Sequence, residues 1–544
     1  MVRISLAGRR VGGWVVREGR AAADGVTIAP LAKVTGWGPP PDVVDLASWA
    51  AWRWAGRRSA LLTAASPAGA VRGLPASPVP SPPATVVIDA EVRALVDEAL
   101  AGGGAGGVLR VPPAADAAAV AAVVVAVAGP SIVLTATHGD ASAVVRRLAR
   151  HGFPVAHVPR EWARARAGGS TVVGARAAAF APLERPGAVV VLDAHDESYQ
   201  QEQAPTWHAT DVAIERARRL GVPCVAVSAC PDLSLLEQLP LLTLGRAAER
   251  SGWPVLDIFD RRDDDPRSGL YGARLVDALR RAETSVLVLN RKGRARLLAC
   301  AACGELARCE TCDAAVGEAD GMLSCPRCGT TRAAFCVSCG ATRLKTLRVG
   351  VARAREELEA ILQVRVGEVT GDTDELPRTP VVIGTEAVLH RVERADLVGF
   401  LDFDQELLAP RYRAAEEALA LLVRAGRLVG ARRGGGRVAV QTRVPRHDVL
   451  QAALHGDPAR VADAERARRA LLGFPPARAI AAVSGPAAGE LIERLGAQPD
   501  VELLGPSDGR WLIRAATSSA LADALSQAGR PAGRLRVEVD PRRL

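Results

Sequence analysis

From about residue 86 onward, short Val/Ile/Leu runs recur in which apolar residues do not alternate with polar ones. They are VLRV (108–111), SIVLTA (131–136), STVVGA (170–175), GAVVVLD (187–193) and PCVAVSA (223–229). A strand covered on both faces reads this way, whereas a strand with one wet face alternates. Helical stretches such as DASAVVRRLARHG lie between the runs, so the pattern predicts a doubly wound parallel sheet. A second series follows: SVLVLN (285–290), QVRVGEVT (363–370), PVVIGT (380–385), LVGFLDFD (397–404) and RVAVQT (437–442). These runs flank a cysteine-rich segment and predict a second α/β lobe with that segment inserted.

The ends read differently. VRISLAGRRVGGWVV alternates around a GRRVGG turn and predicts a β-hairpin. Arg9 and Arg10 fall near that turn, placed either to contact phosphates or simply to be solvated. Pro39-Pro40-Pro41 marks a break, and a helical pattern runs from Val43 to Leu62. Its tryptophans Trp49, Trp52 and Trp54 are expected in the core. Residues 71–84 form a proline-rich linker. A helical stretch spans Asp448 to Leu472, and an α+β ending carries strands near WLIRAA (511–516) and LRVEVD (535–540). The expected domains are residues 1–38, 39–85, 86–245, 246–445 with an insert at 297–343, and 446–544.

Composition bounds the class. With 544 residues, 49% hydrophobic and 24% charged, the chain is long enough for three or four globular domains. The longest apolar run, Ala117 to Ala128, is too short and too alanine-rich to span a bilayer. The N-terminus MVRISLAGRRVGG lacks the apolar core of a signal peptide. A cytoplasmic protein without a membrane partner is the expectation. The net charge of +9 favours an acidic partner such as nucleic acid. Only Lys33, Lys292 and Lys345 are lysines, and none follows a glycine. A P-loop needs Gly-Lys-Ser/Thr, because the lysine reaches the phosphates and the hydroxyl holds Mg²⁺. The chain has no such motif.

Eight of ten cysteines fall in four Cys-x2-Cys pairs: Cys300 and Cys303, Cys309 and Cys312, Cys325 and Cys328, Cys336 and Cys339. One such turn aims two thiolates at a point, and two turns supply a tetrahedral zinc site. Four turns make two sites. The competing reading, four disulfides in a secreted mini-domain, fits poorly with the intracellular character of the rest. Large apolar residues are few between Arg296 and Lys345, so metal binding has to supply the folding free energy there. Spacing alone permits consecutive or nested pairing. Cys224 and Cys230, on and after a buried strand, read as core thiols.

The whole layout resembles the PriA family of replication restart helicases, also called primosomal protein N′. VVGARAAAFAPL (172–183), HDESYQQEQAPTWHATDVAIERA (195–217), SACP (228–231), VLNRKGRA (288–295), VVIGTEAV (381–388), LDFDQELLAPRYRAAEEA (401–418), GFPP (473–476) and VEVDP (537–541) carry it, together with the cysteine spacing. The resemblance implies an α/β fold of two RecA-like helicase lobes with a two-zinc module in the second. Small N-terminal β and winged-helix domains and a C-terminal α+β domain would complete it. It further implies nested pairing, with Cys300, Cys303, Cys336 and Cys339 on one ion. Implied partners are branched or single-stranded DNA, primosome proteins, helicase-loading factors and single-strand binding protein. Because the chain begins almost at the GRRV-like residues, the resemblance also implies that about half of the small β domain is missing.

Departures from the family pattern concern ATP. At the family's Gly-Ser-Gly-Lys-Thr loop the chain reads VLRVPPAADAAA (108–119). At Asp-Glu-Glu-His, aligned on His195, Leu192 replaces the metal-binding Asp and Asp193 the water-activating Glu, whereas a plain Walker B reading keeps Asp193 as the metal ligand and leaves Ala194 in the place of the base. The Gln-x-x-Gly-Arg-x-Gly-Arg finger has become VRAGRLVGARR (423–433), in which Val423 replaces the glutamine, Arg427 matches the first arginine and Gly430 replaces the second. These changes put ATP binding in question and lead to the expectation of a DNA-binding restart protein without ATPase. An active 3′→5′ helicase and a zinc-containing scaffold are the alternatives. Tyr199 and Trp207 lie in what resembles the family's aromatic-rich loop, where stacking on an unpaired base is the functional reading and packing of the loop against the lobe stands equally beside it. His195 reads as an interlobe packing residue.

Overall fold

The structure is a computed structural model. It describes the chain except for residues 7, 18–29, 79–84, 102–104, 263, 265–268, 291–297, 320, 347–350, 371–372, 374, 497 and 499. The first strands, β1 (Val2–Leu6), β2 (Arg9–Gly13) and β3 (Lys33–Val34), form an antiparallel sheet in the order β2-β1-β3. Leu6 pairs with Arg9, so the reversal lies at 7–8 and GRRVGG is largely strand rather than turn. Between residues 39 and 85 the described residues form the helices Pro41–Arg53 and Arg58–Ala65. No strand, and hence no wing of a winged helix, is among them. The single helix expected over 43–62 is split at Ala55, whose φ of 47° breaks the right-handed path.

Seven parallel strands make the first lobe: β4 (Gly106–Arg110), β5 (Ile132–Leu134), β6 (Val155–His157), β7 (Thr171–Gly174), β8 (Val189–Leu192), β9 (Cys224–Ser228) and β10 (Leu241–Thr243). Their order is β10-β4-β9-β8-β5-β7-β6. Alternate residues serve two cores. Leu109, Val133, Val173, Val190 and Val225 pack under the helix Ala117–Ala128. Val108, Ile132, Val172, Val189 and Ala226 face the other way, toward Phe180, Trp207 and the helix Ala209–Leu220. Each such valine or leucine contributes about 1.5–3 kcal/mol on burial, which is why these strands tolerate no polar face.

The second lobe begins with β11 (Val255–Asp260) and β12 (Ser285–Val288). The cysteine module follows, with the short strands β13 (Leu298–Cys300), β14 (Gly317–Ala319), β15 (Met322–Ser324), β16 (Thr331–Ala333) and β17 (Leu344–Thr346). The lobe resumes with β18 (Val366–Val369), β19 (Val381–Gly384), β20 (Leu397–Phe400) and β21 (Arg437–Thr442). Its sheet is parallel throughout, in the order β11-β21-β20-β12-β19-β18. The helical stretch after 446 is two helices, Asp448–His455 and Ala459–Leu472.

The chain ends on an antiparallel sheet of β22 (Ala479–Ser484), β23 (Val501–Ser507), β24 (Arg510–Ala515) and β25 (Arg536–Val539). Its apolar face shares one continuous core with the 41–65 helices and the first lobe. Trp54, 1% exposed, lies in that core and meets Trp49 edge-on at 5.5 Å. Arg53 donates to Asp540 at 2.5 Å and to Ser518 at 3.1 Å, tying the first helix to the last sheet. No described helix is long and apolar enough to cross a membrane.

Candidate functional site: the metal centre and the interlobe cleft

Each Cys-x2-Cys pair folds the same way. The amide four residues after the first cysteine donates back to that cysteine's carbonyl: Gly304 to Cys300, Asp313 to Cys309, Gly329 to Cys325 and Gly340 to Cys336, at 2.8–3.0 Å. The donating residue is left-handed in all four, with φ of 77°, 60°, 77° and 75°. Glycine adopts that conformation without cost, and aspartate tolerates it better than most residues. The repeat is visible in the sequence as a glycine, or in one case Asp313, directly after each second cysteine.

These turns converge as two sets, Cys300, Cys303, Cys336 and Cys339, and Cys309, Cys312, Cys325 and Cys328, each with its sulfurs within 4.8 Å of one another. The pairing is nested. Sulfur separations are 3.6 Å for Cys300 and Cys339 and for Cys303 and Cys336, and 3.5 Å for Cys309 and Cys328 and for Cys312 and Cys325. Four thiolates about 2.3 Å from a tetrahedral zinc would lie about 3.8 Å apart, so the donor set and its spacing fit such an ion, and none of the ten cysteines is in a disulfide. The two sets differ in setting. The inner one is seated on the second lobe, where Ala315 N donates to Leu408 O and Arg327 donates to Ala409 O, both at 2.6 Å. The outer one leaves Cys303 and Cys339 exposed, with Phe335 and Val337 exposed beside them.

Between the lobes lies a charged cleft. Asp193 follows β8 with φ 55°, and its two carboxylate oxygens accept both terminal nitrogens of Arg427 from the helix Ala414–Val429. Arg424, three residues earlier and so on the same helix face, donates to Asp196 and also bonds His390 Nδ1 at 2.8 Å. Below them Arg413 reaches Ser234 at 3.0 Å and Asp232 at 3.4 Å, while Glu416 accepts from Leu233 N at 2.9 Å. Burial opposes ionisation of Asp193, but the Arg427 guanidinium outweighs it and holds the carboxyl below its ordinary value. Burial, set against Asp193 and reinforced by Arg427, pushes His195 down to about 4, leaving it neutral with Nδ1 2.9 Å from Ser228 Oγ.

The start of the helix Ala117–Ala128 is satisfied within its own lobe. Asp116 caps it, accepting from Ala119 N at 3.0 Å and pairing with Arg147 at 2.9 Å. The preceding Pro113 lies against the second lobe, where a Cβ on Gly426 would come within 3.1 Å of it.

The expected DNA contacts fare unequally. Arg9 and Arg10 are exposed on β2. Tyr199 is fully covered, its hydroxyl donating to Leu192 O, and Trp207 is 5% exposed with its ring edge-on to Phe180 at 5.1 Å. Neither ring has a free face for a base, so both are corrected from stacking residues to packing residues. The surface of that loop is polar instead: Arg176, Gln200, Gln203, His390, Arg536 and Arg542 line a groove of about 760 Å³. Sequence reading missed it because its walls come from the first lobe, the second lobe and the last residues of the chain. Cys224 and Cys230 are buried as expected. Of the motif VLNRKGRA, residues 291–295 lie outside the described residues, as do Asp263 and Asp265.

Two parallel α/β lobes meet across a charged cleft, and the second carries paired four-cysteine centres that could hold two metal ions. No family model matches the chain. Replication restart protein PriA of Bacillus subtilis is 28% identical over 339 residues, which is 56% of this chain and 42% of that protein. The PriA of Treponema pallidum is 30% identical over 56% of this chain and 50% of its own length. The probable replication restart protein PriA of Mycobacterium tuberculosis is 31% identical over 65% of this chain and 59% of its own. Over these stretches the chain is similar to replication restart proteins named PriA. It spans about half the length of the curated relatives it matches.

Proposed function

We propose that this chain is a replication restart protein that binds branched or forked DNA and promotes primosome assembly for reloading the replicative helicase, without ATP-driven unwinding. Support for restart comes from the relatives, each named for it. Support for the missing motor comes from one observation, the bidentate bond of Arg427 to Asp193. In a phosphoryl-transfer site the acidic residue holds Mg²⁺ and the arginine finger meets the transferred phosphate. Here the two neutralise each other, beside a loop without lysine or hydroxyl. The DNA would run along the polar groove at Gln200 and Arg536, with Arg9 and Arg10 as outlying phosphate contacts. The cysteine module, holding two zinc ions, would serve primosome proteins, helicase-loading factors or single-strand binding protein as a docking surface.

Fork-DNA binding followed by fluorescence anisotropy across a salt series tests this reading. Affinity is expected to fall linearly in logarithmic coordinates as salt rises, because each phosphate contact releases counterions. ATP hydrolysis with the same forks is expected at background. Salt-independent or absent binding overturns the DNA role, and fork-stimulated hydrolysis lost in Asp193→Ala overturns the missing motor.

A further inference from the structure

Three groups of this chain bear on whether the cleft can take a nucleotide. The Asp116 carboxylate sits at the amino end of the helix Ala117–Ala128, where unpaired amides and the helix dipole attract an anion. Arg427 spends both terminal nitrogens on Asp193, and Arg424 bonds Asp196, which is 4% exposed and also accepts Ser198 N at 2.9 Å. Pro113 from the first lobe lies on Gly426 of the second, and Gly426 is the residue immediately before the clamping arginine.

We propose that this is a nucleotide cleft filled from within, and that its ion pairs latch the two lobes in one fixed orientation. A ligand moves a two-state equilibrium only through a difference in its affinity for the two states. With the helix start already capped by Asp116 and Asp193 taken by Arg427, a nucleotide has no such difference to offer. Charge-assisted hydrogen bonds, bidentate ones above all, are the strong class, and here a bidentate pair, Arg427 with Asp193, and a single bond, Arg424 to Asp196, join residues 234 and 228 positions apart. Arg413 on Asp232 and Glu416 on the amide of Leu233 extend the same seam. The latch stands on the cleft alone and holds whether or not the chain binds forks.

Hydrogen exchange at residues 189–199 and 420–430, with small-angle scattering on the same samples, reads the latch in the full chain without DNA. Wild-type protein is expected to exchange identically with and without millimolar Mg-ATP or Mg-ADP. The double variant Arg424→Met/Arg427→Met is expected to exchange at least about tenfold faster in both segments and to expand. Asp193→Asn, which keeps the shape and removes the charge, is expected to fall between. Exchanging the partners, Asp193→Arg with Arg427→Asp, should recover part of the protection. A nucleotide-dependent change in wild type, which needs no variant to fold, overturns the proposal. So does wild-type exchange in a double variant that retains its circular dichroism.

Discussion

The cysteine module and the interlobe cleft differ in what their polar side chains do. In the module all eight thiols remain, in two sets whose sulfurs lie within 4.8 Å. In the cleft Asp193 is bonded to Arg427, and residues 111–116 read VPPAAD. Each set answers to a different constraint. Few large apolar residues surround the cysteines, so losing one ligand removes the folding free energy of the whole module. The cleft lies between two lobes that each bury complete cores, so its ligands can be exchanged for packing and ion pairs without losing the fold. Chemistry that also builds the structure persists; chemistry laid over a finished structure can be replaced.

Metal removal should sharpen that contrast most. Stripping zinc with a strong chelator is expected to cost the module its structure, on the order of 10 kcal/mol per centre, while exchange protection in β4 to β9 is retained. Elemental analysis should first give two ions per chain. Loss of protection across both lobes would break the comparison. Arg427→Met comes next, with about 3 kcal/mol lost in denaturant titration because Asp193 is left charged and largely covered. Unchanged stability would mean that the cleft pair is ornamental.

Acid should follow. His195 is held at about 4 in the fold, by burial first, against about 6.5 when unfolded. The unfolded chain therefore takes the proton first, so the contribution is complete above about pH 6.5 and is lost as pH falls toward 4. The expected loss is about 2 kcal/mol, reduced for a half-buried ring, and His195→Asn should flatten the profile in that window. Gly426→Ala should have the smallest effect, about 1 kcal/mol, from crowding Pro113 and Pro254. It should weaken the cleft while leaving zinc content at two.

Much of the fold was legible because parallel strands covered on both faces leave unbroken apolar runs, as at β5, β8 and β9. Strands β6 (VAH) and β10 (LLT) were missed because each ends on a polar residue after two apolar ones, unlike β5 (IVL), and β11 because aspartates break VLDIFD into apolar pairs. The nested cysteine pairing followed from resemblance rather than spacing, and the geometry agrees with it. The aromatic loop stayed open between stacking and packing because local enrichment in rings says nothing about which way they point, and the structure turns Tyr199 inward to Leu192. The cleft bonds had no sequence signal at all. They join residues more than 200 positions apart and become visible only when both lobes are folded.

Strand β11 has a history in time as well as a place in the sheet. Its sheet partner is β21, and Asp257 meets Arg437 across a separation of 180 residues. At about 5–20 residues per second of synthesis, the wait for that partner lasts about 9–36 s. Throughout it β11 offers an open edge to any other chain nearby, the situation in which strands aggregate. Asp257 and Asp260 put negative charge on that edge, acting as gatekeepers until the last strand of the lobe leaves the ribosome.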